Sequence, residues 1–329
     1  FEVRLPSFLM DKNMVTVSEF REFVEATGYI TEAQEIGDGI VFSFRQSEWT
    51  LVSGATWEYP LGPNEPAAND GHPVTMLSYR DAVSYLDWVG KRLPTEIEWE
   101  HAARGITDRE KPYSWGGELI VNDSIYMANT WNGFFPMMNT GKDGLFTTSP
   151  VGMCGTNEFG LSDMGGNVWE WTSDWYRPYE RYSDEFVVES TSEKVLRGGS
   201  FMCHTSYCHG YRVSARSSTP PSNTMFHIGF RGVKDVQHPF KDLQLTRGDD
   251  SNPQHYLAQN SQKHDSTVNK PTLTGVANEF WKVGEKVYQS NFNEPQEWVL
   301  PHLEFQWHKE DWPTSKPTEK KIKNTNTSC

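Results

Sequence analysis

Cysteine is scarce: Cys154, Cys203, Cys208 and Cys329 are the four in a chain of 329 residues. That excludes a small disulfide-scaffolded domain. Only Cys203 and Cys208 lie close enough in sequence to form one local unit, so Cys154 and Cys329 read as unpaired. Long apolar runs are missing too, and no stretch approaches the ~20 residues that a membrane-spanning helix needs. Positive charge is in deficit, with 30 Lys and Arg against 44 Asp and Glu and a formal net charge of −14. This argues against nucleic acid as a partner and is compatible with a cationic substrate. An initiator Met and a signal-peptide pattern are also absent from Phe1-Glu-Val-Arg, as expected of a processed or trimmed chain.

What is present suffices for a sizeable core: 36% of residues are hydrophobic, enough for one large domain or two. Three helices announce themselves by capping boxes. Thr16 with Glu19, then Phe20, Phe23 and Val24 at helical spacing and Gly28 as a stop, predict a helix near 16–27. Ser78 with Asp81, followed by Ala82, Val83, Tyr85, Leu86 and Val89, predicts a second near 78–89. Thr95 with Glu98 predicts a third near 95–103, ending at Gly105. Residues 38–75 are rich in Gly and Pro, and little regular structure is expected there. Residues 113–194 are short aromatic and glycine-rich segments, which must be held by something other than strand ladders. Bound calcium, which takes about six to eight oxygens, would serve. By themselves Asp143 and Asp163 read as turn residues.

Residues 236–329 differ in composition, being rich in Asn, Gln and Lys, with a Lys-rich end from Lys316 to Lys323. Their charge is nearly balanced, eleven basic against twelve acidic, leaving nineteen against thirty-two in residues 1–235, so the acidity belongs to the first part. Trp281, Trp298, Trp307 and Trp312 suggest that this extension packs on the surface of the 1–235 domain, its last part flexible, because it holds too few aliphatics for a core of its own.

The densest chemistry lies at Arg197-Gly-Gly-Ser200-Phe-Met-Cys203-His-Thr-Ser-Tyr207-Cys208-His-Gly-Tyr211-Arg212. The glycine pair lets backbone come close to whatever the two sulfurs hold. Zinc normally takes four ligands and iron–sulfur clusters four cysteines, so an isolated pair of thiolates points to low-coordinate copper or to redox chemistry. A small structural disulfide loop is the other reading of the same spacing.

This stretch, with Arg216 and the closing Gly229-Phe230-Arg231, resembles the formylglycine-generating enzymes, oxidases that activate sulfatases. Gly90–Glu100 matches the family's G-K-R-L-P-T-E-A-E-W-E, and Gly166–Trp171 matches its G-N-V-W-E-W. The resemblance covers about residues 1–235, although the family's opening I-P-G-G-x-F-x-M-G strand has no counterpart. It implies an α+β, irregular C-type-lectin-like fold with low regular secondary structure. It further implies an oxidase that converts the cysteine of a C-x-P-x-R segment in an unfolded sulfatase polypeptide to Cα-formylglycine with O2. Cys203 and Cys208 would hold Cu(I), and Ser200 would position the oxygen species. Two Ca2+ sites follow by the same route: Asn129, Thr130, Asp143 and Leu145 for one, Asp163, Gly166, Val168 and Glu170 for the other. Glu32, Trp169, Tyr207 and Arg212 would line the substrate groove, with Glu32 facing the peptide's arginine. The chain is expected to be a monomer. Eukaryotic members place structural cysteines at the positions of Ala103, Val213 and Gly232, and this chain has none there, which fits a cytoplasmic or exported bacterial-type member rather than one of the endoplasmic reticulum lumen. The usual Asn two residues before G-F-R is His227 here. Two relatives on the same fold are the alternatives: a non-catalytic peptide- or protein-binding member, which typically loses the cysteines, and an iron-dependent sulfoxide synthase, which needs a histidine-rich ligand set.

Overall fold

The computed structural model describes residues 5–106, 110–181 and 185–236, and the backbone of 280–283. Strand β1 (Phe8–Asp11) leads into α1 (Val17–Thr27), α2 (Glu32–Ile36), a hairpin of β2 (Asp38–Ser43) and β3 (Glu48–Ser53), then α3 (Tyr79–Trp88) and α4 (Glu96–Arg104). Two minimal hairpins follow, β4 (Ile120–Val121) with β5 (Ile125–Tyr126) and β6 (Gly133–Phe134) with β7 (Met138–Asn139). The remaining strands are β8 (Trp169–Trp175), β9 (Lys194–Arg197), β10 (Arg216–Thr219), β11 (Ile228–Gly229), β12 (Val233–Asp235) and β13 (Phe280–Val283). The mixture is α+β with little regular structure, as expected.

Thr16, Ser78 and Thr95 each cap their helix, and the acid three residues on accepts a bond from the cap's own N–H. A fourth box, Thr31 with Gln34, starts the short α2. The hairpin β2–β3 departs from expectation. Ile40, Val41 and Phe42 face Leu51, Thr50 and Trp49 in register, and these β-branched and aromatic residues outweigh Gly39 and the neighbouring glycines. A strand does open the described chain, since β1 pairs antiparallel with β12 on one edge and with the backbone of β13 on the other. The packing expected of the extension's tryptophans otherwise lies outside the described residues.

The central sheet runs in the order β10-β9-β8-β11, with β8 antiparallel to β9 and parallel to β11. Its middle strand is the Trp169-Glu170-Trp171 part of G-N-V-W-E-W, fully buried. One core cluster joins Phe20, Trp57, Tyr85, Trp171 and Phe230, and a second joins Phe8, Met10, Trp99 and Val233. A third, of Phe42, Phe201, Met202 and Phe226, lies beside the cysteine loop.

Buried amides and carboxylates stand in for ladders across the irregular middle. Asn157 accepts from the N–H groups of Phe159 and Leu161 and donates to the Ala102 carbonyl. Asn167 accepts from Ser149 N and donates back to Ser149 O, while Asn129 donates to Thr147 O. Each such side chain satisfies backbone groups that no strand reaches.

Candidate functional site

The cysteine loop is built on two close backbone approaches. Gly198 and Gly199 have φ of 91° and 72°, and a Cβ on Gly199 would sit 2.6 Å from the carbonyl carbon of Gly210. A Cβ on Gly210 would meet the Trp169 ring at 2.6 Å. The glycines thus fold one arm of the loop against the other and both onto Trp169. Between the arms, Cys203 N donates to Ser200 O and Cys208 N to His204 O, both at 2.9 Å. The Cα atoms of Cys203 and Cys208 stand 5.1 Å apart, and the structure joins the two sulfurs as a disulfide. Cys203 is buried and Cys208 half-buried.

Ser200 adjoins Cys203 through its backbone, its N–H pointing at the Cys203 sulfur at 3.5 Å, while its hydroxyl accepts from Met202 N at 3.3 Å. Tyr207, between the cysteines, donates its phenol to Met202 O at 2.6 Å and stacks on Phe135 at 4.3 Å. Trp169 closes the site from β8, with its backbone N–H donating to the His227 carbonyl. Arg212 is exposed at the end of the loop. Glu32 stands apart from the cysteine loop in sequence, its carboxylate 3.7 Å from Arg80 and its N–H donating to Asp81. The helix-to-helix contact of α2 with α3 uses it.

Sequence reasoning missed an aromatic run on the two hairpins flanking the loop. From Tyr207 it passes to Phe135, then Trp131 and Phe44, stacked at 5.1 Å, and by way of Phe42 to Trp49 and His227. Trp131 also ties the run to the site, its backbone N–H donating to Cys203 O at 3.0 Å. The signal was Phe42-x-Phe44 and Trp49 flanking a turn, which become neighbours only once β2 and β3 pair.

The pair suits Cu(I) in its donor chemistry: two soft sulfurs on one short loop, available as thiolates once the bond between them is reduced. Among the described residues no group of three or more His, Cys, Asp or Glu side chains could hold a metal ion, so any further ligand would come from outside them.

The two calcium sets differ in fit. In the first, Asp143 accepts from Leu145 N with one oxygen, while its other oxygen is buried without a partner. Burial raises its pKa, and a buried, unpaired anionic oxygen is what a cation would satisfy. In the second, Asp163 already accepts from Gly152 and Cys154 N–H groups, and burial pushes its carboxyl up to about 6. Glu170 receives the Arg231 guanidinium at 2.7 and 2.8 Å and the Trp99 indole N–H at 2.9 Å. The arginine supplies the positive charge there, so the side-chain donors of this set are committed.

Three comparisons bear on this geometry. Residues 1–236 match the family described as the sulfatase-modifying factor enzyme 1-like domain. The formylglycine-generating enzyme of Mus musculus is 40% identical over 252 residues, 71% of this chain and 67% of that protein. That of Thermomonospora curvata is 41% identical over 256 residues, 71% of this chain and 84% of that one. PvdO from Pseudomonas aeruginosa superposes with a TM-score of 0.50 at 22% identity over 71% of this chain and 94% of its own, a likeness of fold alone. Two-fifths identity that spans both the helical caps and the cysteine loop places the chain in the formylglycine-generating enzyme family.

Proposed function

We propose that this chain is an oxidase that converts the cysteine of an unfolded sulfatase C-x-P-x-R segment to Cα-formylglycine, with O2 as oxidant and Cys203 and Cys208 as the reactive pair. The observation that carries the reading is the pairing of one buried and one half-exposed cysteine on a loop walled by Trp169 and Tyr207. The half-exposed Cys208 is the sulfur that an incoming polypeptide meets. Reduced, the two thiolates would hold Cu(I), which supplies electron-rich metal for O2 activation.

The residues around the pair bind and orient. Tyr207 is pinned by its bond to Met202 O and offers a fixed aromatic wall. The inner cysteine, Cys203, is buried in the same core cluster as Trp169, and the Ser200 N–H points at its sulfur. In the overall reaction the substrate's Cβ loses hydrogen to give a thioaldehyde, and water replaces sulfur to give the aldehyde and hydrogen sulfide. The substrate supplies two of the four electrons that reduce O2 to water, and an external thiol supplies the other two. Calcium is proposed at the first set only, Asn129, Thr130, Asp143 and Leu145.

The bond between the sulfurs favours a second reading, a structural loop in a non-catalytic, peptide-binding member. Mass spectrometry of a C-x-P-x-R peptide incubated with protein, Cu(I), thiol reductant and O2 separates the two. The oxidase reading expects the aldehyde, abolished in Cys203→Ser and Cys208→Ser with little change in melting temperature. The structural reading expects no aldehyde and a loss of roughly 2–3 kcal/mol in either variant. Full activity of Cys208→Ser would overturn the proposal. The iron-dependent reading gains no support, because the described histidines are dispersed: His72 bonds Thr148, His204 bonds Ser206, and His227 lies under Trp49.

A further inference from the structure

Trp49 is 45% exposed and Leu51 71% exposed, and with their cross-strand partners Phe42 and Ile40 they stand on the face of the hairpin opposite the one on which Gly39 and Val41 are buried. Trp49 is fixed from below by ring contacts with Phe42 at 5.2 Å, His227 at 5.1 Å and Phe226 at 6.1 Å. A large aromatic held rigidly with one side in water loses little conformational freedom when something covers that side. Ring contacts link this ledge to the cysteine loop through the buried Phe42. From Tyr207 to Phe135, Phe42 and Trp49 the ring centroids step by 4.3, 5.7 and 5.2 Å. An extended polypeptide rising about 3.4 Å per residue would cover that path in roughly four or five residues.

We propose that Trp49 and Leu51 form an accessory subsite for apolar side chains in the polypeptide flanking C-x-P-x-R. The inference rests on the function proposed above, and chemistry selects the occupant. An unfolded substrate exposes the apolar side chains that its own folded core will later bury. Lying extended, it presents every second one to a neighbouring surface. Nothing charged is needed, and the rings of the ledge carry no charge.

The test uses peptides in which Ser replaces the target cysteine, so that binding is read without turnover. One is C-x-P-x-R in length, others are extended at either end with apolar residues, and a control is extended with Ser and Gly. Fluorescence anisotropy should give the protein about tenfold tighter binding for one apolar extension than for the short peptide or the control, the effect of ~1.4 kcal/mol. Trp49→Ser and Leu51→Ser should each bring the ratio of the two Kd values toward one, and Trp49→Phe should keep most of it. Equal binding of all peptides, or a preference that survives both serine variants, would overturn the subsite. Turnover of the cysteine peptides is measured separately. Its absence would overturn the catalytic reading while the titration still decides the ledge.

Discussion

His227 is 8% exposed, lies between Trp49 and Phe226, and leaves its Nδ1 without a partner. Burial alone pushes its imidazole down to about 3, far below the ordinary value near 6.5. The folded state therefore prefers the neutral ring, whereas the unfolded chain takes up a proton below about 6.5. Stability from this side chain is complete above that pH and is lost as the pH falls toward about 3. Denaturant midpoints of wild type and His227→Asn, followed from pH 7.5 to pH 4, should converge or cross on the acid side. Parallel curves would show that the histidine does not couple folding to protons. At this scale the cysteines were legible, since their chemistry is intrinsic and their spacing local. Trp49, Phe135 and Trp131 were not: their rings meet only through tertiary pairing, and each alone looks like any core aromatic.

Helix α4 shows what element-scale reading captures and what it leaves out. Thr95 and Glu98 announced its start, and the box is present in the structure. Its burial was not legible, because Glu96, Glu98 and Glu100 in a row suggest a solvated face, whereas all three are buried. Glu98 pairs with Arg92 just before the helix and Glu100 with Arg104 one turn on, but the other partners come from distant strands. Arg216 of β10 grips Glu96 through both oxygens at 2.7 and 2.6 Å, and Arg197 of β9 reaches Glu96 and Glu100. Without Arg197, Glu96 keeps Arg216 and Glu100 keeps Arg104, but both buried carboxylates lose a donor and so does the Val213 carbonyl, so Arg197→Ala should cost about 3 kcal/mol, the lower end for a broken buried pair. Arg80→Ala, which breaks an exposed pair with Glu35, should cost ~1 kcal/mol or less. Urea unfolding that shows equal losses for the two variants would contradict the account of this network. The β2–β3 hairpin escaped for a different reason: its strand signal is present, but it sits among glycines and prolines that locally argue for loop.

On the scale of the whole molecule, irregular segments held by Asn129, Asn157 and Asn167 leave one buried carboxylate oxygen without a partner among the described residues, that of Asp143. If calcium fills the site proposed at Asp143, chelation should lower the melting temperature of the wild type, because an ion bound by the folded form alone stabilises it. Asp143→Ala should melt lower and no longer respond to free calcium. A wild-type melt unchanged at low calcium would remove the ion from the account. The closure of the chain has its own consequence. β1 takes its partner β12 from residues 233–235, and Arg231 bonds the carbonyls of Asp11 and Lys12 as well as Glu170. At about 5–20 residues per second, a ribosome needs on the order of ten to forty-five seconds after making β1 to deliver these groups. Throughout that interval Phe8 and Met10 lack the β12 strand beside them, and the carboxylate of Glu170 has no guanidinium. Synthesis must then run on past the last family residues before the amino-terminal strand can lock, so a nascent chain stalled short of Arg231 remains a client for chaperones, however well its capped helices have formed.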